Sequence, residues 1–176
     1  MGLLYEIMSS IRNRCTSMVI KQIEGCQTSY SISKFSPQWI ENLSLYGIIP
    51  RKSLVSSFPL DYLKTPEEQA AIMRGLFDSD GSINYRSTAH GFEPVFFICG
   101  SKQCMDDCSY FLEENCGFKP SILKHSNIFR IQIYGIEKCQ AIYDFLYGHD
   151  NFYIKRKKER FEKLINGTFT PDNDVY

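Results

Sequence analysis

The chain has 176 residues, room for one or two compact domains that bury most of their apolar surface. Hydrophobic residues make up 43% and charged residues 23%, which is ordinary globular usage; no apolar run could form a transmembrane helix and no signal peptide is evident, so an intracellular protein is expected. The formal net charge of +0 argues against a uniformly basic surface, and seven cysteines with no CxxC pair exclude a disulfide framework or a zinc ribbon.

In chain order, Leu3 to Ile11 predicts a short amphipathic helix with Leu4, Ile7, Met8 and Ile11 on one side. Ser17 to Ile23 and Ser29 to Lys34 predict a hairpin around Glu24-Gly25. Ser36 and Pro37 then open a helix carrying Trp39, Ile40, Leu43 and Tyr46 to a stop at Gly47. An extended link ends near Leu63.

The stretch TPEEQAAIMRGLFDSDGSI, Thr65 to Ile83, is the most informative. Thr65 predicts an N-cap, Pro66 suits the first helical position, and Glu68 completes a capping box. Ala70, Ile72, Met73, Gly75, Leu76 and Phe77 are apolar around most of the circumference, so the helix is expected to be buried on more than one side. Gly75 costs about 1 kcal/mol relative to Ala in a helix interior, and with Ser79 it makes a flat strip on which another helix can lie. Gly81 is expected to stop the helix in the left-handed conformation. Asp78 and Asp80 then fall at the negative end of the macrodipole, a penalty that a bound divalent cation would reverse. The plainer alternative is a solvated Asp-Gly turn. A calcium loop fails on spacing, because its first and last ligand positions would be Leu76 and Ser87.

After Gly81 the period changes to two. Ser82, Asn84 and Arg86 alternate with Ile83 and Tyr85, and Pro94 to Cys99 predicts the next strand. Ser101 to Cys116 is a helix with Met105, Cys108 and Phe111 or Leu112 inward. Cys104 and Cys108 share a face of it and could meet Cys116 or His125, without the spacing signature of a metal site. Ser121 to His125 and Asn127 to Tyr134 form another hairpin, with Phe129, Ile131 and Ile133 on one side and Ile128, Arg130 and Gln132 on the other. Ile136 to Tyr147 and Phe152 to Ile165 are helices, and residues 167–176 are expected to be a flexible tail. The last helix crowds Lys155, Arg156, Lys157, Lys158, Arg160 and Lys163 together, as one positive face or a solvated one.

An internal repeat organises these elements. The segment from Pro120 to Gly148 has the layout of that from Thr16 to Gly47: a strand ending in Lys (Lys124, Lys21), a turn, an alternating strand, a helix and a Tyr-Gly stop. Basic residues follow each copy, Arg51-Lys52 and Lys155-Arg156-Lys157.

MRGLFDSDG, Met73 to Gly81, resembles the nine-residue LAGLIDADG motif of homing endonucleases and related intron maturases, with Gly75, Asp78, Asp80 and Gly81 matching. The resemblance implies an α+β fold with one complete αββαββα module, residues 64–166, preceded by a partial αββα copy, residues 1–63, that lacks its motif helix. It implies an intron- or intein-associated nuclease that binds double-stranded DNA and cleaves it with Mg²⁺. The motif helices would pair through Ile72, Gly75, Leu76 and Ser79, in a homodimer or with a second LAGLIDADG-bearing chain, and Asp80 would hold the metal. The family's basic residue near the attacking water matches Lys124 best, with Lys21 its repeat mate. Asn84, Arg86, Arg130 and Gln132, on polar strand sides, are of the types that read bases. Lys21, Lys34, Arg51, Lys52, Lys155 and Arg156 suit phosphates. Two features depart from the family: there is a single motif, and Gly100 stands where a polar residue often follows the second strand. They keep open an inactive remnant, a maturase-like or regulatory binder, and a structural dimerisation module in which Asp80 is a turn residue.

Overall fold

The structure is a computed structural model and describes residues 17–21, 28–33, 36–45, 56–89, 91–149 and 152–171. The expected helix from Leu3 to Ile11, and Lys34, Arg51 and Lys52, lie outside these residues. The chain divides into two units, residues 1–45 and 46–176.

In the first unit, strands β1 (Ser17–Lys21) and β2 (Ser29–Ser33) pair antiparallel, with Lys21 opposite Ser29. Helix α1 (Pro37–Leu45) follows, its first turn closed by bonds from the Trp39 and Ile40 amides to the Ser36 carbonyl. Every residue of α1 is exposed, including Trp39, Ile40 and Leu43. The order strand, strand, helix is that of the expected repeat.

The second unit is a four-stranded antiparallel sheet with helices on one side. The motif helix α2 (Pro66–Asp80) starts as the sequence dictates: the Glu68 amide donates to Thr65 Oγ1 at 3.3 Å, and Glu68 Oε2 accepts from the Thr65 amide at 3.0 Å. Strands β3 (Ser82–Thr88) and β4 (Gly91–Gly100) follow. Next come helix α3 (Lys102–Cys116), strands β5 (Ile122–His125) and β6 (Ile128–Tyr134), and helices α4 (Ile136–Tyr147) and α5 (Lys155–Ile165). The sheet order is β3-β4-β6-β5. Residues directly opposite share a side of an antiparallel sheet. The register therefore sets Ile83, Phe96, Ile98, Ile131 and Ile133 against the helices, all of them buried. Asn84, Arg86, Val95, Phe97, Arg130 and Gln132 lie on the opposite, outer side. Phe77 of the motif helix stacks on Phe96 at 5.2 Å between ring centres and meets Phe161 of α5 at 5.9 Å, joining both helices to the middle of the sheet.

Two expectations are corrected. Gly81 ends the motif helix in extended backbone, φ −92°, not the left-handed region. Glycine is needed there for closeness: a Cβ would lie 2.8 Å from both the Cα and the carbonyl oxygen of Phe77. Residues 167–171 do not leave the body as a flexible tail. Phe169 is buried, 4.8 Å from the Tyr85 ring centre and 6.0 Å from that of Phe92, because those aromatic rings offer an apolar seat past the end of α5.

Candidate functional site

The motif helix turns opposite sides to opposite tasks. Ala70, Met73, Arg74 and Phe77 are buried. On the other side Gly75 and Ser79 are exposed and Ile72 and Leu76 half-buried, so burial is confined to one side within this unit. Among the described residues, a Cβ added at Gly75 would meet nothing within 4 Å. The strip of Ile72, Gly75, Leu76 and Ser79 is thus brought together as expected, with Gly75 open.

Asp80, the last residue of this helix, is exposed. The Ser79 hydroxyl lies 3.0 Å from Asp80 Oδ2 and 3.1 Å from the Leu76 carbonyl. On the sheet side, the Cys99 thiol donates to the Asp80 carbonyl at 3.8 Å. Asp78, only two residues earlier, turns inward instead. Its Oδ2 accepts from the Ile154 amide at 2.9 Å, where α5 begins. Oδ1 is buried with no partner among the described residues. Burial pushes the Asp78 carboxyl above its usual range, against the opposing pull of the Ile154 amide and of Lys157, Arg74 and Arg156. Asp78 therefore anchors α5, and Asp80 is the exposed carboxylate of the two.

Beneath the same helix end lies Lys157, a buried lysine. Its Nζ donates to the carbonyls of Phe77 at 2.6 Å and Gly81 at 2.7 Å and sits 5.1 Å from the Phe77 ring centre. A cation at a helix C-terminus satisfies orphan carbonyls and opposes the dipole. Burial lowers the ammonium's proton affinity, Asp78 opposes this, Arg156 adds to it, and Asp80 opposes it. The sequence reading missed Lys157 by grouping it with its basic neighbours. The available signal was helical spacing: Lys157, Phe161, Leu164 and Ile165 fall on one side, and all are buried.

The basic crowd of α5 is accordingly neither one positive face nor a solvated one. Lys158 pairs with Glu162 at 2.5 Å, within 5.3 to 5.8 Å of the Tyr143, Tyr147 and Tyr153 ring centres. Arg160 donates to the Ile83 carbonyl at 3.0 Å and reaches Asn84 Oδ1 at 3.5 Å. Lys155, Arg156 and Lys163 are the exposed members, Lys155 lying 3.5 Å from Glu159. Arg74, also unmarked in the sequence reading, is buried and caps the far end of α4 through the Leu146 and Phe152 carbonyls.

Asn84, Arg86 and Gln132 line one shallow concavity on the outer side of the sheet, about 480 Å³, with Ser82, Val95, Phe97 and Tyr134. Arg130 shares that side, opposite Cys99, and its Nε is buried with no partner among the described residues. Lys124 is elsewhere. It is exposed on edge strand β5, at the far edge of the sheet from β3, in register with Phe129 and thus on the helix side. No contact joins it to Asp80. Lys21 is exposed in the first unit. Cys104 and Cys108 are buried, and burial pushes the Cys116 thiol up to about 12. Among the described residues no three His, Cys, Asp or Glu side chains cluster to hold a metal ion.

The LAGLIDADG-like domain profile matches residues 67–166, more than half of the chain, and the chain belongs to this family. Its α+β fold is accordingly that of a LAGLIDADG-like domain. Among solved structures it is similar to the LAGLIDADG meganuclease I-AabMI bound to uncleaved DNA, at 15% identity and TM-score 0.43, over 56% of this chain and 35% of that one. It is similar to the homing endonuclease I-CvuI in complex with its target in the presence of Ca, at 15% identity and TM-score 0.42, over 58% and 71%. A third is the I-SmaMI homing endonuclease bound to cleaved DNA, at 19% identity and TM-score 0.41, over 63% and 39%. The match spans about a third of I-AabMI and most of I-CvuI. No functionally curated protein matches the chain. No described helix is long and apolar enough to cross a membrane.

Proposed function

We propose that the chain binds double-stranded DNA with the outer side of strands β3 to β6 and, when its motif helix pairs with a second one, hydrolyses phosphodiester bonds with Mg²⁺. The observation that carries this reading is the open side of the motif helix, where a Cβ added at Gly75 would meet nothing within 4 Å among the described residues and Ser79 and Asp80 stand exposed at its end. Pairing there, in a homodimer or with another LAGLIDADG-bearing chain, would bring a second carboxylate beside Asp80. Residues 64–166 would supply the complete module and residues 1–63 the partial one.

Mg²⁺ is usually held by one or two carboxylates together with waters and substrate phosphates, not by a full protein cage. One exposed carboxylate per chain fits that donor set. Bound there, the ion would neutralise charge on the phosphate and lower the pKa of water. Asp80 would hold it, and Ser79 would orient Asp80 through its hydroxyl. Lys157 fixes the helix end from below. Lys124 is the sequence-based candidate for the basic group near the attacking water; Lys157, buried with its Nζ on two carbonyls, acts only through the helix end it holds. Asn84, Arg86, Arg130 and Gln132 would face base edges, and Lys155 and Arg156, like Lys21, Lys34, Arg51 and Lys52, would meet phosphates.

A second reading, a non-cutting nucleic-acid binder, is favoured by Gly100. A side chain there would begin 3.2 Å from the Met105 methyl, so the strand end that often carries a polar group in the family is packed shut. One experiment separates the two. The protein is incubated with a randomised duplex pool with and without Mg²⁺. Metal-dependent strand breaks that vanish in Asp80→Asn, with binding retained, establish the nuclease. Binding without breaks in either protein leaves the binder. Cleavage that survives in Asp80→Asn removes the assigned site.

A further inference from the structure

One guanidinium on the outer side of the sheet is held in place by its neighbours. Arg86 lies directly opposite Glu93 in the β3–β4 register, and its Nε donates to Glu93 Oε2. Its guanidinium carbon sits 4.5 Å from the centre of the Tyr134 ring. The Glu93 side chain is 24% exposed and that of Arg86 53%, so the carboxylate is the support and the arginine the group presented. Stacking sets the plane of the fork and the ion pair sets its rotation. One N–H is used of the five that arginine carries, and the two terminal amino groups have no partner among the described residues.

Two kinds of acceptor suit a rigid fork on a DNA-facing surface: a phosphate, or the paired O6 and N7 atoms of guanine. The adjacent Glu93 carboxylate decides between them. It repels a phosphate arriving at the same guanidinium but leaves a neutral base edge unopposed. The neighbours in the same concavity, Asn84 and Gln132, also suit base edges.

We propose that Arg86, positioned by Glu93 and Tyr134, reads a guanine in the major groove of the duplex this sheet covers, which rests on the DNA-binding reading above. Arg86 lies six residues beyond Asp80. At about 3.3 Å per strand residue and 3.4 Å per base pair, the guanine falls about six base pairs from the phosphate that Asp80 addresses.

The test is selection of bound duplexes from a randomised pool without divalent metal, by the full chain and by Arg86→Lys, Arg86→Ala and Glu93→Gln. The wild-type protein is expected to enrich guanine at one position of each half-site by about tenfold over other bases. Arg86→Lys keeps the charge without the fork and is expected to lose that preference while still binding; Arg86→Ala should lose it too. Glu93→Gln should weaken the preference without strengthening it elsewhere. Base preferences in Arg86→Ala that match wild type at every position overturn the proposal while leaving DNA binding intact. Binding of the pool by the wild-type chain with no base enriched overturns this assignment alone, and failure to bind the pool overturns the DNA-binding reading and this assignment with it.

Discussion

Asp78 and Asp80 are two residues apart at one helix end, yet they belong to different regions of the molecule. Asp78 faces the interior with Arg74, Phe77 and Lys157, which are tied to backbone or ring, Asp78 through one of its two oxygens. Asp80 faces out with Ser79 and the open strip at Gly75. The inner region explains stability and leaves no donor for chemistry. The outer region adds little to the chain's own packing, and its value would come from a partner helix and a metal. Spacing alone separates the two carboxylates: on a helix of 3.6 residues per turn, two residues are about half a turn apart.

The contrast can be broken by mutation, and the effects should fall in a clear order. Asp80→Asn should reduce Mg²⁺-dependent cleavage by on the order of 10³-fold, since several kcal/mol of charge stabilisation would be lost, while the thermal midpoint stays put. A matching fall in thermal stability would place Asp80 in the inner region instead. Phe77→Ala should do the reverse, costing about 3–5 kcal/mol of folding stability in denaturant titration. Gly81→Ala should cost about 1–3 kcal/mol, because the new methyl group has to push the Phe77 backbone away; an unchanged midpoint would show that the helix end relaxes freely. A Cβ at Gly75 meets nothing among the described residues, and Gly75→Leu gains up to about 1 kcal/mol of helix propensity, so the monomer should melt slightly higher. The same variant should lose any dimer seen by light scattering. A dimer of unaltered mass would move the pairing surface away from this strip.

The smallest effect is a pH dependence. The folded-state pKa of Asp78 is raised, so the folded chain holds this proton more tightly than the unfolded one. Its charged form costs stability above the folded pKa, and that cost is relieved as pH falls through it. Asp78→Asn can still accept from the Ile154 amide and carries no charge. Any advantage in melting temperature of Asp78→Asn over wild type should therefore be largest near neutral pH and shrink in acid. An advantage that grows as pH falls would reverse the assigned sign.

Much of this was legible in the chain. Local signals suffice wherever local chemistry decides: the Thr65 capping box, the helix from Ser101 to Cys116, and the period-two alternation of β3 and β6 all lie where the residues predict. The sequence reading fell short where a residue's job depends on a distant element. Lys157 reads as one cation among several until the motif helix end is set above it, 76 and 80 residues back in the chain. Gly81 reads as a left-handed stop, although the Phe77 backbone beside it is the real constraint. Phe169 reads as part of a polar tail because the aromatic seat made by Tyr85 and Phe92 comes from another hairpin. Lys124 is matched to the family's basic position, and such a match carries no information about which side of an edge strand a residue takes.

Arg160 has one more effect. Strand β3 forms an outer margin of its sheet, and such margins invite another strand to zip alongside and seed clumping. The guanidinium passes around that margin, occupying the Ile83 carbonyl on its way to Asn84. If the motif helix pairs as proposed, association through the strands has to be discouraged, and a single arginine laid across the rim would make that wrong dimer harder to form.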